Sequence, residues 1–492
     1  MDAISLQVML GALRAACDEM GAVLVRSAHS ANIKERRDCS TALFDAGGRL
    51  VMQAEHIPVH LGAMPFAVAE VLGEDHSGGG SWILNDPYRG GTHLPDITVV
   101  TPVLHEGRVA GFAATRAHHA DVGGRTPGSM PADSRSLEEE GAVIPPTRIE
   151  PGLTDELAAR MRNPDERRAD LRAQLAANAA GAERMADLAA RLGAEDLSEG
   201  LAATLDYAER RTRAAIGRLP DGEHEAADVL EAAEGDLELR LRAKVEGEEV
   251  RFDFEGSAPQ HEGNLNCPLA VTLSACYFAL RVLADPDVPA CAGAWRPLEV
   301  GVPEGSLLNA RPPAAVAGGN VETSSRVADL VLAAFGRALG QGTMNNMTLG
   351  NERFSYYETT GGGQGACPDA DGPSAVHVAM SNTLNTPVEA LELEFPLRAV
   401  EYSLRRGSGG AGRFRGGDGV VRELEALEPM ELSLITERRR HAPRGAAGGG
   451  DGVPGRNLVN GDELPPKAVV SLRAGDRLRI ETPGGGGHGG DD

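Results

Sequence analysis

Between His93 and His119 the chain reads HLPDITVVTPVLHEGRVAGFAATRAHH, and this stretch constrains the fold more than any other. Two runs rich in apolar and β-branched residues, Ile97 to Leu104 and Arg108 to Thr115, flank His105-Glu106-Gly107, which predicts a β-hairpin. With the turn centred near Glu106, positions 94 to 96 lie opposite positions 116 to 118, to within about one residue of register. The HLPD and AHH segments then become neighbours although they are far apart in the chain. Side chains alternate along a strand, so of His118 and His119 only one joins a site on a given face.

That convergence matters because of what it gathers. Seven of the thirteen histidines (His56, His60, His76, His93, His105, His118, His119) fall between Asp38 and Asp121. Any one of them taken alone is more often a surface or hydrogen-bonded core residue than a ligand. His93, Asp96 and His118 at one end of a hairpin are different: two imidazoles and a carboxylate suit Zn²⁺ or Mn²⁺, and three protein ligands leave a position open for water. Asp38 is a candidate fourth ligand. His56 and His60 belong to HIPVH, whose proline disfavours the two-histidine helical face of a zincin, so they read as structural.

The remaining sequence limits the alternatives. The formal charge of −24, from 72 acidic against 48 basic residues, argues against nucleic acid and anionic membrane partners. The start MDAISLQVML lacks a basic leader region and no run of eighteen apolar residues occurs, which predicts an unexported chain without a membrane span. Six scattered cysteines with no CxxC spacing indicate neither a zinc ribbon nor a disulfide framework, in keeping with a reducing cytoplasm. Cys39, beside Asp38, reads as a small buried strand residue. GGGQGA (Gly361 to Ala366) and RGGDG (Arg415 to Gly419) lack the Lys-Ser/Thr of a P-loop and suit turns or close backbone approach, so no residue here is assigned to a nucleotide cofactor.

Around the hairpin, the spacing of Leu6, Met9, Leu10, Leu13, Cys17, Met20 and Leu24 predicts an opening amphipathic helix. Cys39 to Phe44 and Arg49 to Gln53 predict another hairpin. From about Thr154 to Leu219 good helix formers dominate, with Pro164 as a start and Gly193 as a stop. LELRLRAKV and EVRFDFEG read as strands, Leu269 to Leu283 as a helix, and Arg326 to Ala338 as another capped by Ser324 or Ser325. The expected class is α+β, a mixed multi-layer chain: a metal-site region (1–150), a helical segment (151–222), a mixed β-rich region with helices (223–480), and a glycine-rich tail (481–492) expected to be disordered.

The motifs IKERRDCSTALFD, HIPVHLGAMP, NDPYRGGTHLPDITVVTPV, RAHHADVGGRTPGSM and EGAVIPP, continued by GGNVETSSRVAD, YYETTGGGQGA, NTPVEALELEFPL and SGGAGRFRGGDG, resemble the hydantoinase B/oxoprolinase family over nearly all 492 residues. The resemblance implies the metal-bearing subunit of an ATP-dependent cyclic amidohydrolase of hydantoinase, 5-oxoprolinase or lactamase type. It also implies a hetero-oligomer with an A-type subunit that binds ATP with Mg²⁺ and phosphorylates the ring amide, while metal-activated water attacks here. It places the ligands on His93, Asp96 and His118, with Asp38 close by and Zn²⁺ or Mn²⁺ equally suited. Asp121 and Glu140 are candidates for orienting a ligand histidine or taking the water's proton; Asn85, Asp86 and Arg89 lie in a segment that either lines the pocket or turns the chain. Two alternatives stay open: a subunit of an ATP-dependent ketone carboxylase, which the chain length disfavours, and a non-catalytic scaffold subunit with a structural metal.

Overall fold

The structure is a computed structural model describing residues 1–55 and 57–490. Its first helix, Ala3–Ser27, starts at Asp2, whose carboxylate accepts the Ser5 N–H at 2.7 Å. Met9, Leu10, Leu13, Cys17, Met20 and Leu24 are buried, as their spacing predicts, and Leu6 is half-buried. This helix packs along a second, Pro164–Leu192, where Gly181 leaves room for the Met20 side chain. Proline opens the second helix and Gly193, at φ 85°, ends it.

Both helices cover a six-stranded sheet built from β1 (Cys39–Asp45), β2 (Leu50–Glu55), β3 (Trp82–Leu84), β4 (Asp96–His105), β5 (Arg108–His118) and β6 (Thr147–Arg148). The strand order is β2-β1-β5-β4-β3-β6, so the predicted hairpin β4–β5 lies at its centre. The turn is tighter and sits slightly later than expected. Glu106 (φ 50°) and Gly107 (φ 75°) both adopt the left-handed conformation that two-residue hairpin turns require. A register shift between Val103 and Leu104 then brings Asp96 opposite His118 rather than Arg116. The helix Pro164–Leu192 grips the outer face of this hairpin: Gln174 Nε2 donates to the Ile97 carbonyl and Asn178 Nδ2 to that of Val99, each at 2.9 Å.

The second sheet joins β7 (Gly222–Ala232), β8 (Gly235–Glu246), β9 (Glu249–Asp253) and β10 (Leu298–Gly301) in the order β10-β9-β8-β7. The helices Leu269–Leu283 and Ser324–Ala334 pack against each other, and the second also lies on β7 and β8. The serine cap expected for the second is absent. A π-helical turn, Gly319–Thr323, runs into it, and Ser324 and Ser325 donate back to the carbonyls of Asn320 and Val321. It ends at Ala334, short of Ala338, because Gly336 turns left-handed at φ 70°.

The last part contains β11 (Asn346–Gly350), β12 (Ser355–Glu358), β13 (Leu397–Arg405), β14 (Gly419–Ala426), β15 (Met430–Ile435), β16 (Arg456–Val459), β17 (Asp462–Leu464), β18 (Lys467–Leu472) and β19 (Arg477–Glu481). They form two sheets, β12-β11-β15-β18 and β13-β14-β19-β16-β17, whose facing residues share one apolar core. The whole is α+β. Among the described residues no helix is long and apolar enough to cross a membrane, and none of the six cysteines forms a disulfide, with Cys367 exposed.

Up to Gly490 the glycine tail departs from its expected disorder. Gly484 to Gly489 thread between the segments 361–365, 409–417 and 445–452, and Gly484 to Gly487 are buried. Gly485 N–H donates to Gly417 (2.9 Å), Gly486 to Leu339 (2.8 Å) and Gly487 to Gly450 (2.8 Å), while Gly410 and Ala366 donate back to Gly485 and Gly486. Side-chain burial was the wrong measure here. A Cβ at Gly485 would run into the Gln364 carbonyl and one at Gly487 into that of Ala411, so the absence of side chains is what lets these backbones pair. GGGQGA belongs to the same bundle, as its close-approach reading anticipated.

Candidate metal centre

Asp96 opens β4 and His118 closes β5, directly opposite each other. The residues His93 to Asp96 form a turn in which Asp96 N–H donates to the His93 carbonyl at 3.1 Å. That turn lays the His93 imidazole back over the carboxylate, with Nδ1 3.1 Å from Asp96 Oδ2, and His118 Nδ1 lies 3.4 Å from Asp96 Oδ1. Asn85 props the turn from outside, donating to the Leu94 and Ala142 carbonyls and accepting from Ile144. One ligand atom from each of His93, Asp96 and His118 lies within 4.8 Å of the others, and all three residues are buried.

The electrostatics match the needs of a cation. Burial raises the Asp96 carboxyl, but the charges of His93 and His60 and hydrogen bonds from His118 and His60 outweigh it and hold the group well below the usual carboxylate range. Burial pushes the His118 imidazole down, against the opposing pull of Asp96 and Asp38. An ionised carboxylate is the form in which Asp96 binds metal, and the lowered imidazole of His118 suits the same role. Both ring nitrogens of His93 and Nε2 of His118 are buried without a hydrogen-bond partner. Buried polar atoms are nearly always paired, and a cation held by one nitrogen of each ring would give those two atoms a partner.

The other candidates are placed differently. Asp38 precedes β1 and its carbonyl accepts the His118 N–H at 3.0 Å; its carboxylate lies 3.8 Å from Arg36 and outside the three-residue group. Asp121 is buried with both oxygens engaged: Oδ1 accepts from the Gly123 and Arg162 N–H groups, Oδ2 from Gly128 N–H and the Arg162 guanidinium. Glu140 accepts from Ser134 and from the N–H groups of Val316 and Ala317. Burial pushes its carboxyl up to about 7 against those hydrogen bonds and the nearby charge of His93. His119 points to the opposite face and meets Gln174 at 2.9 Å. Arg89 pairs with Glu70 at the surface.

Three neighbours of the site escaped the sequence reading. His60 Nε2 lies 3.2 Å from Asp96 Oδ2 and its Nδ1 2.9 Å from Ser40 Oγ, while Thr92 Oγ1 donates to Asp96 Oδ2 at 2.6 Å. The proline of HIPVH, read as evidence against a regular helix, starts a single 3₁₀ turn, Pro58–His60, that carries His60 inward. His56 lies outside the described residues. The third neighbour is Tyr357 on β12, whose ring stacks on His118 at 4.3 Å and 18°. The sequence signal for the site was the density of histidine and carboxylate from Asp38 to Asp121, to which Tyr357, far along the chain, contributes nothing.

Known proteins resemble this chain in sequence and in fold. A 5-oxoprolinase of Dictyostelium discoideum is 40% identical over 99% of this chain, which spans 40% of that protein's length. The crystal structure of an ATP-dependent caprolactamase from Pseudomonas jessenii superposes with a TM-score of 0.92 at 27% identity, over 100% of this chain and 91% of that one. An acetone carboxylase chain shares the fold alone, with a TM-score of 0.86 at 17% identity over 99% of this chain and 76% of that one. The family profile described as hydantoinase B/oxoprolinase matches residues 2–491, nearly the whole sequence, and the chain therefore belongs to that family.

Proposed function

We propose that this chain is the metal-bearing part of an ATP-dependent enzyme that opens cyclic amides, with His93, Asp96 and His118 as the metal ligands. The observation that carries the reading is the set of buried, unpartnered imidazole nitrogens around an ionised Asp96. When bound, a divalent cation supplies Lewis acidity, which polarises an oxygen and eases the loss of a proton from water. His60 and Thr92 aim the Asp96 carboxylate, and Asn85 holds the turn that carries His93. Asp38 lies on the rim, where it balances Arg36 and the charge of the site. We read Asp121 and Glu140 as anchors of the adjoining loops, because donors already occupy their oxygens.

An amide carbonyl is a poor electrophile, so ring opening also needs activation, and ATP is the source that the ATP-dependent caprolactamase suggests. We assign that step to an A-type partner, either a separate subunit or a further segment of a longer chain. Zinc and manganese suit the donor set equally. Hydrolysis is preferred to carboxylation because 5-oxoprolinases and a caprolactamase are among the relatives above 25% identity, whereas the acetone carboxylase chain is 17% identical.

The test is metal analysis of the purified chain, followed by ATP turnover of the chain reconstituted with an A-type partner on 5-oxoproline, hydantoins, lactams, and ketones with bicarbonate. The expected result is about one divalent metal per chain, lost in His93→Ala together with amide-dependent turnover while the partner still binds. Full turnover by a metal-free His93→Ala chain would refute the proposal, and turnover on ketones alone would replace it with the carboxylase reading.

A further inference from the structure

Glu322 sits at the end of a buried hydrogen-bonded chain that starts at the metal centre. The π-helical turn Gly319–Thr323 that carries it is clamped by the segment Asn264–Cys267: Gly319 N–H donates to the Asn264 carbonyl (2.9 Å) and Thr323 Oγ1 to that of Leu265 (2.6 Å). A side chain at Gly319 would run into the Asn266 carbonyl, so the turn sits where only glycine allows. Such turns inside helices are uncommon and recur at functional positions.

From this turn Glu322 reaches β11. Its Oε1 accepts the Met344 N–H (3.1 Å) and Asn346 Nδ2 (3.2 Å), and the same Nδ2 faces the Ile435 carbonyl at 3.5 Å. Two acceptors on one side fix the direction of the Asn346 amide and turn its oxygen toward Tyr357, whose hydroxyl donates to it at 2.6 Å. The Tyr357 ring stacks on His118, and the Arg36 guanidinium packs over the same ring at 4.7 Å. Every member is buried: Glu322 and His118 are 0% and 2% exposed, Asn346 and Tyr357 1% and 2%.

We propose that Glu322, Asn346 and Tyr357 form a positioning column in which Glu322 orients the Asn346 amide, the amide holds the Tyr357 hydroxyl, and the held ring fixes the plane of His118 for metal binding. The column rests on the metal reading above and extends it to residues more than 200 positions along the chain. The hairpin itself holds His118 only through a long contact of its Nδ1 with Asp96 at 3.4 Å, and its Nε2 has no partner. Glu322 acts here as an acceptor in its neutral form. Burial and the neighbouring Glu437 carboxylate push its carboxyl up to about 8, with Lys467 opposing. Glutamine keeps that acceptor and the neutral state; alanine loses the acceptor and leaves the Asn346 amide free to turn.

The test uses the full chain loaded with Co²⁺, reading affinity by chelator competition and ligand geometry by the visible absorption of the bound ion. Glu322→Ala and Tyr357→Phe should each weaken Co²⁺ binding by roughly tenfold and alter its spectrum, the range seen when outer partners of metal-bound histidines are lost. Glu322→Gln should restore affinity to within about twofold of wild type by the same reasoning. Tyr357→Phe keeps the ring and its stacking, so it remains informative where Glu322→Ala fails to fold. Wild-type affinity and spectrum in Tyr357→Phe would overturn the column while leaving the metal centre standing. A wild-type chain with no His93-dependent Co²⁺ binding would overturn the metal reading, and the column with it.

Discussion

Asp96 is the residue on which the site turns, because four side chains address its two oxygens: His93, His60 and Thr92 at Oδ2 and His118 at Oδ1. A carboxylate so surrounded keeps its charge when buried, whereas an isolated one would take up a proton. His60 contributes by orientation, so His60→Ala should weaken metal binding by about 10- to 100-fold without abolishing it. Competition titration of the purified variant measures this, and complete loss of metal would make His60 a ligand. Glu322 yields a second prediction at this scale. Its carboxyl is raised to about 8 in the folded chain against 4.5 when unfolded. Folding therefore takes up a proton between these values, and the stability present below the lower one is lost as pH rises through the upper. Glu322→Gln, which cannot ionise, should flatten the fall in stability across that window by on the order of a few kcal/mol, read from denaturant unfolding at its two ends.

The central hairpin shows how an element places a site. Alternating β-branched runs and a short polar turn made β4 and β5 legible, and strand pairing brought HLPD and AHH together. The pairing of Asp96 with His118 instead depended on the exact turn and on the register shift between Val103 and Leu104, which composition does not announce. The hairpin is then held by the polar face of the helix Pro164–Leu192. Gln174 joins the Ile97 carbonyl to His119, the residue next to the proposed ligand His118. Gln174→Ala leaves both buried groups short of a partner, and thermal or denaturant unfolding should show a loss of about 1–3 kcal/mol. An unchanged stability would mean that the hairpin needs no such grip. The expected serine cap failed for a similar reason: Ser324 and Ser325 have the right chemistry for a helix start, but the clamp on Gly319 extends the coil one turn earlier.

At the scale of the whole molecule, the C-terminal glycines close the structure. Their backbones exchange hydrogen bonds with three other glycine-rich segments, one of them GGGQGA. Deletion of residues 483–492 should expose those segments and lower the melting temperature by several degrees, as expected for a loss of about 1–3 kcal/mol or more. Calorimetry of the truncated chain decides this, and an unaltered transition would show the tail to be dispensable. The sequence by itself determined the elements whose causes are local: the helices Ala3–Ser27, Pro164–Leu192 and Leu269–Leu283, the hairpins β1–β2 and β4–β5, and the three ligand candidates on the last of these. These follow from side-chain periodicity, caps and turn residues, which act over a few positions. Only the tertiary structure decided what surrounds those candidates. His60 arrives from a 3₁₀ turn and Tyr357 from another sheet. Such contacts depend on close packing between segments remote in sequence, and no local pattern of residues encodes them.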